Sequence, residues 1–316
     1  MPSTKELQNR IGSIRDTMKI TNAMYMISSM KLRKARKQLE NTEPYFEGLK
    51  EEISNILLHF PDMEDHYFAN LEEKRKKEDH RKGYIIVVGD KGMCGAYNHN
   101  VIKEALKEIT PKDHLFVVGE VGRHELAAAG YSVDPEFLFT ATNPSMHRAR
   151  VIAETIIDLY KKGELDEVHM IYTQMVNTMV SEVRQERLLP LKTHTFLKEE
   201  LIQKALHHQG DKTRAQAEQE AEDWYLIYPD AKKVLEKLVY NYVTGYVYGV
   251  LVEGTASEEN ARMQAMQAAT DNAKDMLAEL SIQFNRARQS AITQEITEVI
   301  AGAKALRKKK SKGRSR

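Results

Sequence analysis

The 316-residue chain lacks several features that would place it in a common functional class. It has a single cysteine, Cys94, so no disulfide can form within the chain, and this favours a reducing compartment. No segment approaches the roughly 20 consecutive apolar residues of a membrane span. The first thirty residues carry many charges and do not resemble a signal peptide. We therefore expect a soluble protein, which would reach a membrane only through a partner.

Charge is abundant but almost balanced. Charged residues make up 29 % of the chain, yet the net charge is only +1, which gives no general reason to expect nucleic acid as a partner. Aromatic residues make up only 7 %. This composition favours long charged helices over a single compact domain.

Both ends of the chain carry apolar residues at an alternating spacing of four and three, which is typical of a coiled-coil helix. Near the N-terminus the pattern covers Leu7 to Leu39 and resumes from Phe46 to Ile56, and Pro44 predicts a kink or short break between them. Near the C-terminus it covers Met263 to Ala291 and then steps by one residue to continue from Ile292 to Leu306. We expect the two stripes to bury against each other.

Between these ends, short β-rich runs alternate with helical stretches, which predicts a three-layer, Rossmann-like domain with a largely parallel sheet. The strands are expected at Tyr84–Val88, Leu115–Gly119 and Val168–Tyr172, with Ser181–Leu189 as a candidate edge strand, and the helices near Asn100–Ile109, Gly122–Ala129 and Ser145–Tyr160. The predicted fold class is therefore α/β: a long antiparallel coiled coil of N- and C-terminal helices with an inserted Rossmann-like α/β domain.

The predicted domain boundaries follow from these patterns and from the charged stretches between them. They are an N-terminal helix at 1–60, a charged linker at 61–82, the α/β domain at 83–200, an exposed loop and the start of the C-terminal helix at 201–250, the C-terminal helix at 251–306, and a basic disordered tail at 307–316.

The stretch "GDKGMCGAYN" joins a predicted strand to a predicted helix and raises the question of phosphate binding. Its glycines, at 89, 92 and 95, repeat every three residues. That spacing matches neither the dinucleotide motif nor the phosphate loop of nucleoside triphosphatases. We therefore interpret the stretch as a tight crossover that needs positive φ, with Cys94 as a small buried thiol.

Other candidate sites are weaker still. The adjacent His207 and His208 have no third ligand at a useful spacing, so we expect no metal ion, no cofactor and no catalytic site. The basic cluster "KLRKARK", at 31–37, could bind phosphates or face acidic loops of a protein partner, and the balanced net charge favours the second interpretation.

Three motifs in order carry a resemblance to a known family. They are "RIGSIRDTMKITNAMYMISSMKLRKAR" (10–36), the "GDKGMCGAYN" turn, and "ASEENARMQAMQAATDNA" followed by "NRARQSAITQEITEVIAGAKAL" (256–306). Together they resemble the gamma subunit of F-type ATP synthases. The resemblance implies a central rotor shaft made of the two terminal helices inside a ring of alpha and beta subunits. It also implies an epsilon subunit and a membrane c-ring as partners, no nucleic acid, and a peripheral location on the cytoplasmic face of the cell membrane.

The same resemblance implies contact residues on the shaft and on the foot that docks on the membrane ring. The expected contacts with the ring of catalytic subunits are Met24, Lys31, Arg33, Arg262, Arg288, Gln289, Thr293 and Glu295. Tyr225 and Tyr228, in "WYLIYPD", would lie in the foot. Family members commonly have a glutamate where this chain has Tyr228, so the charged contact at that position would be missing.

Two functions from different classes are therefore considered for this sequence. One is the rotor subunit, which would couple ion-driven rotation to the cycling of catalytic subunits without a catalytic site of its own. The alternative is a coiled-coil scaffold that binds partners through basic faces. The pairing of "ITNAM" near one end with "RARQ" and "ITQEI" near the other favours the rotor.

Overall fold

A computed structural model describes residues 3–60, 67–68, 81–196, 227–228 and 230–312. The chain divides into two compact units: the first comprises Met1–Ile27 and Met263–Arg316, and the second comprises Ser28–Arg262. Among the described residues, no helix is long and apolar enough to cross a membrane.

Two long helices contribute to both units. Helix α1 spans Thr4–His59 and passes through Pro44 without the predicted break. The C-terminal helix, α6, spans Ala231–Lys312. It includes residues 307–312, which belong to the segment predicted to be a disordered basic tail. Alanine, leucine, lysine and arginine all favour helix, and no glycine occurs between Gly302 and Gly313.

In the first unit, α1 and α6 pack as an antiparallel pair, as predicted. Leu7, Ile11 and Leu280 form a buried cluster, against which Ile14, Leu277, Phe284 and Ala287 pack. Further along the seam, the hydroxyls of Thr21 and Thr270 lie 2.7 Å apart. The predicted spacing of four and three is therefore the buried seam of this unit.

The seam ends where α1 begins. Leu7, near the start of α1, already packs beside Phe284 and Ala287, so α1 does not extend far enough to cover the rest of α6. The later apolar residues of the predicted stripe, Ile292, Ile296 and Val299, are exposed. The expectation that they bury against the N-terminal helix is wrong for this reason.

The second unit contains a four-stranded sheet in the order β2-β1-β3-β4. The strands are β1 (Lys82–Val87), β2 (His114–Val118), β3 (Glu167–Met175) and β4 (Ser181–Leu189). Strand β1 pairs in parallel with β2 and with β3, whereas β4 pairs antiparallel with β3. Strands β1, β2 and β3 were expected from sequence, since continuous apolar runs are typical of strands buried on both faces. The polar strand β4 confirms the candidate edge strand.

Helices cover this sheet. They are α2 (Tyr97–Glu108), α3 (Glu120–Ala128), α4 (Met146–Lys161) and the short α5 (Thr193–Phe196). Ile86 and Val88 join a buried cluster with Val101 of α2 and Leu126 of α3. Val87 points to the opposite face, where it contacts Gly254 of α6. The sheet therefore lies between helical layers, as predicted.

The segment predicted to be a charged linker, 61–82, lies mostly outside the described residues. Its described residue Tyr67 is buried, stacks on Tyr160 with ring centroids 6.5 Å apart, and accepts a backbone hydrogen bond from Leu191. At this point the chain packs on the α/β core and is not a solvated linker, because a tyrosine within a charged run still gains from burial.

Candidate interaction surfaces

The first unit exposes four of the eight residues predicted to contact a ring of partner subunits. Arg288, Gln289, Thr293 and Glu295 are all exposed on α6, beyond the last residues of the seam. The Thr293 hydroxyl donates to the Gln289 carbonyl at 2.9 Å, within the helix itself. This part of α6 therefore presents polar side chains beside its exposed apolar residues.

The predicted contact residues of α1 have unequal environments. Met24 is half-buried, and Arg33 is exposed. Lys31 donates to Glu259 at 2.9 Å while about half of its side chain (49 %) stays exposed. Lys31 is thus partly committed to a contact within the chain.

Arg262 is the most buried of the eight predicted ring contacts. Only 9 % of its side chain is exposed, and its guanidinium pairs with Glu258 and, at 3.0 Å, with Glu259. It also donates to the carbonyl of Gly92 at 3.3 Å. The polar groups of its side chain are therefore used inside the chain, and the contact of Arg262 with a partner ring stays a prediction.

The basic cluster at 31–37 is not a continuous basic surface. Lys31 points to Glu259, and Arg36 lies against the sulfur of Met175 at 3.6 Å. The remaining basic residues of the cluster, Arg33, Lys34 and Lys37, are exposed. This arrangement weakens the interpretation of the cluster as a phosphate-binding face.

The glycine turn connects β1 to α2, as predicted. Gly95 has a φ of 58°, which favours glycine, and the non-glycine Met93 also has a positive φ of 60°. Gly89 is needed for a different reason. A Cβ there would lie 2.9 Å from the amide oxygen of Asn98 and 3.0 Å from the carboxylate of Glu258. Cys94 is buried beneath the turn, as expected.

The turn lies at the place where doubly wound sheets usually bind ligands. In a sheet of order 2-1-3 that place is the crevice beyond the carboxyl ends of the first and third strands. Here α6 fills the crevice from within the chain. Ser257 donates to the Thr173 carbonyl at 3.0 Å, Asn260 donates to the Thr178 carbonyl at 3.1 Å, and the Glu258 carboxylate lies against Gly89.

The charges in this crevice also disfavour an anion. Asp90 accepts hydrogen bonds from the Thr142 hydroxyl at 2.5 Å and from the Thr142 and Ala141 amides. Burial alone would raise the pKa of Asp90, but these hydrogen bonds lower it below its ordinary value of 3.8. Two carboxyl groups, those of Asp90 and Glu258, therefore lie at the turn, where a phosphate would need hydrogen-bond donors or positive charge.

The two glutamates of α6 respond oppositely to their surroundings. Burial raises the pKa of Glu258, and Arg262 only partly offsets this effect. Burial also acts to raise the pKa of Glu259, but hydrogen bonds from Lys31 and Ser28 and the charge of Arg262 bring it below the ordinary value of 4.5. Burial would lower the pKa of Arg262, yet the two carboxylates raise it, so Arg262 stays charged.

Sequence reasoning did not single out Glu258, Glu259 or Asn260. The available signal was the polar run "SEEN" at 257–260, which lies two residues before the coiled-coil pattern that begins at Met263. Within the described ranges, no group of three or more histidine, cysteine, aspartate or glutamate residues is arranged to hold a metal ion. Of the predicted foot residues, Tyr228 is 91 % exposed and Tyr225 lies outside the described residues.

The terminal helices are paired and expose polar and apolar side chains, and the crevice of the α/β unit is filled by α6. These features define a subunit that acts on other chains through its surfaces. The family model described as ATP synthase matches residues 3–306. The chain belongs to the ATP synthase gamma chain family.

Individual relatives agree with this assignment. The chain is 43 % identical to the ATP synthase gamma chain of Acetivibrio thermocellus over 311 residues, which cover 97 % of this chain and all of that protein. It is 36 % identical to the sodium-ion-specific gamma chain of Acetobacterium woodii over 309 residues, covering 96 % and 99 %.

Solved structures share the fold. A chain of the Euglena gracilis mitochondrial ATP synthase, from the part comprising OSCP, F1 and the c-ring, aligns with a TM-score of 0.61 at 14 % identity, covering 96 % of this chain and 94 % of that one. A chain from the central stalk and c-ring of the Tetrahymena thermophila enzyme gives a TM-score of 0.51 at 21 % identity, covering 79 % and 99 %.

These findings confirm the prediction of a central-stalk rotor subunit that takes part in ATP synthesis and ion transport. The chain is therefore a subunit of the rotary enzyme. The predicted partners, namely the alpha, beta and epsilon subunits and the c-ring, stay predictions and belong to the proposal that follows. The alternative of a free coiled-coil scaffold with basic faces is not supported.

Proposed function

We propose that the first unit is the surface that turns inside the ring of alpha and beta subunits, and that the chain has no catalytic site of its own. A shaft with unlike faces presents a different surface to each of three catalytic subunits. Each catalytic site is then biased towards a different conformation, and rotation exchanges these states in sequence.

The observation that carries this proposal is the composition of α6 beyond the seam. Ile292, Ile296, Val299 and Ile300 are exposed there, beside Arg288, Gln289, Thr293 and Glu295. Exposed apolar side chains clustered along one helix mark a surface that another protein covers. The predicted ring contacts at these four polar positions and at Met24 belong to this proposal. The contacts predicted at Lys31 and Arg33, in the second unit, stay predictions.

We further propose that the second unit carries the contact with the membrane ring. We place the foot near Tyr225 and Tyr228, and the complex on the cytoplasmic face of the cell membrane, to which this chain attaches only through its partners. The exposure of Tyr228 supports the proposal, since a tyrosine offers both an apolar ring and a hydroxyl to a partner surface. The filled crevice supports the absence of a catalytic site on this chain.

The proposal is tested by placing charges on the exposed apolar residues. The double variant Ile292→Glu and Ile296→Glu should reduce recovery of the alpha and beta subunits with a tagged chain from membrane extracts. The fold of the chain should be unaffected, because both side chains are exposed. A matched control, Leu106→Glu with Leu138→Glu, places the same charges on exposed apolar residues of the α/β unit and should leave recovery unchanged.

Normal recovery of the ring with the α6 double variant would contradict the proposed ring surface. Failure of the unmodified chain to recover any alpha or beta subunit would contradict the rotor function itself.

A further inference from the structure

One short stretch of α6 makes several polar contacts with the α/β core of the second unit. The stretch is Glu253–Arg262. Glu253 accepts from the Met175 amide at 2.6 Å, Ser257 and Asn260 donate to carbonyls at and after the end of β3, and Glu258 and Arg262 contact the glycine turn after β1. The Gly254 carbonyl accepts from the Tyr97 hydroxyl at 3.1 Å. This stretch, which we term the docking segment, joins α6 to the ends of both central strands.

Within the docking segment, Arg262 has the most directional contacts. Its guanidinium reaches three separate acceptors: the Glu258 carboxylate, the Glu259 carboxylate and the Gly92 carbonyl. Glu259 in turn accepts from Lys31 of α1. The planar guanidinium holds several acceptors in fixed directions, which a lysine ammonium does not do. Arg262 therefore fixes the glycine turn, α6 and α1 relative to one another within the second unit.

The turn itself is braced on its other side. The Gly89 amide donates to the Asn98 side chain at 3.0 Å, and Asn98 donates to the Lys91 carbonyl at 3.2 Å. The Asp90 carboxylate accepts hydrogen bonds from the Ala141 and Thr142 amides. Since these contacts make the turn stiff, a force applied through Arg262 and Glu258 is passed to the sheet and is not lost in loop motion.

Burial makes this connection resist separation. Arg262, Glu258 and Glu259 are each less than 10 % exposed. Breaking a buried ion pair leaves an uncompensated charge in a poorly solvated site, whereas an exposed pair is easily replaced by water. The contact is therefore suited to bearing load between α6 and the α/β core.

We propose that Glu258 and Arg262 are positioning residues that lock the glycine turn onto α6, so that torque on this helix reaches the sheet of the second unit, and that Arg262 acts inside the rotor and not on the ring. This inference rests on the rotor function proposed above. It assigns coupling to a contact within the chain, in addition to the contacts with partners.

The first test measures hydrogen exchange in the assembled ATP synthase. Arg262→Lys keeps the charge but loses the forked donors, and it should speed exchange of the turn amides at 89–97. Amides of the first-unit seam, near Thr21 and Thr270, should exchange as before. Lys107→Met removes one partner of an exposed ion pair on α2 and serves as the matched control, with no expected change. Unchanged exchange in the turn of Arg262→Lys would overturn the inference.

The second test separates positioning from stability. Arg262→Met alone leaves Glu258 buried without its partner and is expected to destabilise the chain. The double variant Glu258→Gln with Arg262→Met removes both charges of that pair, while Glu259 keeps its ion pair with Lys31. Stability should therefore partly recover while the contact with Gly92 stays lost. In membrane vesicles, we expect the double variant to lose most of its gradient-driven ATP synthesis per unit of ATP hydrolysis.

If stability and synthesis recover together in the double variant, the residues are only structural and the positioning function is refuted. The ratio of synthesis to hydrolysis is measured only on complexes that retain the alpha and beta subunits. A failure of the rotor proposal would instead appear as failure of the unmodified chain to recover the alpha and beta subunits, or as normal recovery with the Ile292 and Ile296 variant, and not as a change in this ratio.

Discussion

The Thr21 and Thr270 hydroxyls form a hydrogen bond of 2.7 Å across the buried seam between α1 and α6. Each hydroxyl also donates to, or lies within bonding distance of, a carbonyl of its own helix, at Met18 and at Met266. The seam is therefore held partly by a polar pair, where a permanent two-helix zipper would have apolar side chains.

This pair predicts a non-additive mutational effect. Thr270→Val alone should destabilise the helical pair by about 1 kcal/mol, because it removes a buried partner from the Thr21 hydroxyl. Thr21→Val combined with Thr270→Val should cost less than the sum of the two single changes, since both partners are then apolar. Denaturant unfolding of the full chain, followed by the circular dichroism of its helices, measures this difference. Additive effects would show that the hydroxyls do not interact.

Two glycines of α6 provide a matched pair of substitutions. A Cβ at Gly245 would overlap the ring of Phe46, which already packs edge-on against Tyr242. Gly245→Ala should therefore destabilise the chain by roughly 1 to 3 kcal/mol through overpacking. Gly249→Ala meets no atom within 4 Å and should stabilise the helix by about 0.5 to 1 kcal/mol. Equal shifts of both denaturation midpoints would contradict the packing of Phe46 against Gly245.

Asp90 predicts a loss of stability in acid. Its pKa lies below the ordinary value of 3.8, so its contribution is present above that pH and is lost as pH falls through the lower, folded-state pKa. Asp90→Asn should cost about 1 kcal/mol at pH 7, where the carboxylate accepts from Thr142 and Ala141. Urea unfolding at pH 7 and at about pH 3 tests this prediction. A difference that stays constant between the two pH values would refute it.

Arg288 and Gln289 provide a functional prediction for the proposed ring surface. Arg288→Ala with Gln289→Ala should lower coupled ATP synthesis in membrane vesicles severalfold, if each side chain contributes about 0.5 to 1.5 kcal/mol to partner contacts. The helical content of the isolated chain should not change, because both residues are exposed. Glu104→Ala with Lys107→Ala removes an exposed pair from α2 and is the control. Synthesis equal to that of the control would exclude these two contacts.

Much of the fold could be predicted because local sequence pattern and tertiary environment agree. The runs that became β1, β2 and β3 are apolar on both faces, as strands covered on two sides must be. The seam could be predicted because burial recurs at the spacing of the helix, from Leu7 on α1 and as far as Ala287 on α6.

The remainder depended on tertiary contacts that periodicity does not record. The exposure of Ile292 depends on where α1 begins, and the burial of Tyr67 depends on its contact with Tyr160. Motif resemblance pointed to Arg262 but not to its environment, since a guanidinium on a helix can face a partner or its own chain. The choice was decided by Glu258 and Glu259, and by the distant Gly92 carbonyl.

The filled crevice of the α/β unit has a consequence for regulation. A nucleotide entering at the end of β1 would have to displace the buried carboxylate of Glu258 and separate it from Arg262. Separating that buried pair would cost free energy, which disfavours nucleotide binding at this end of the sheet. We therefore expect the chain to respond to nucleotide through the subunits that it contacts, and not through a nucleotide bound in this crevice.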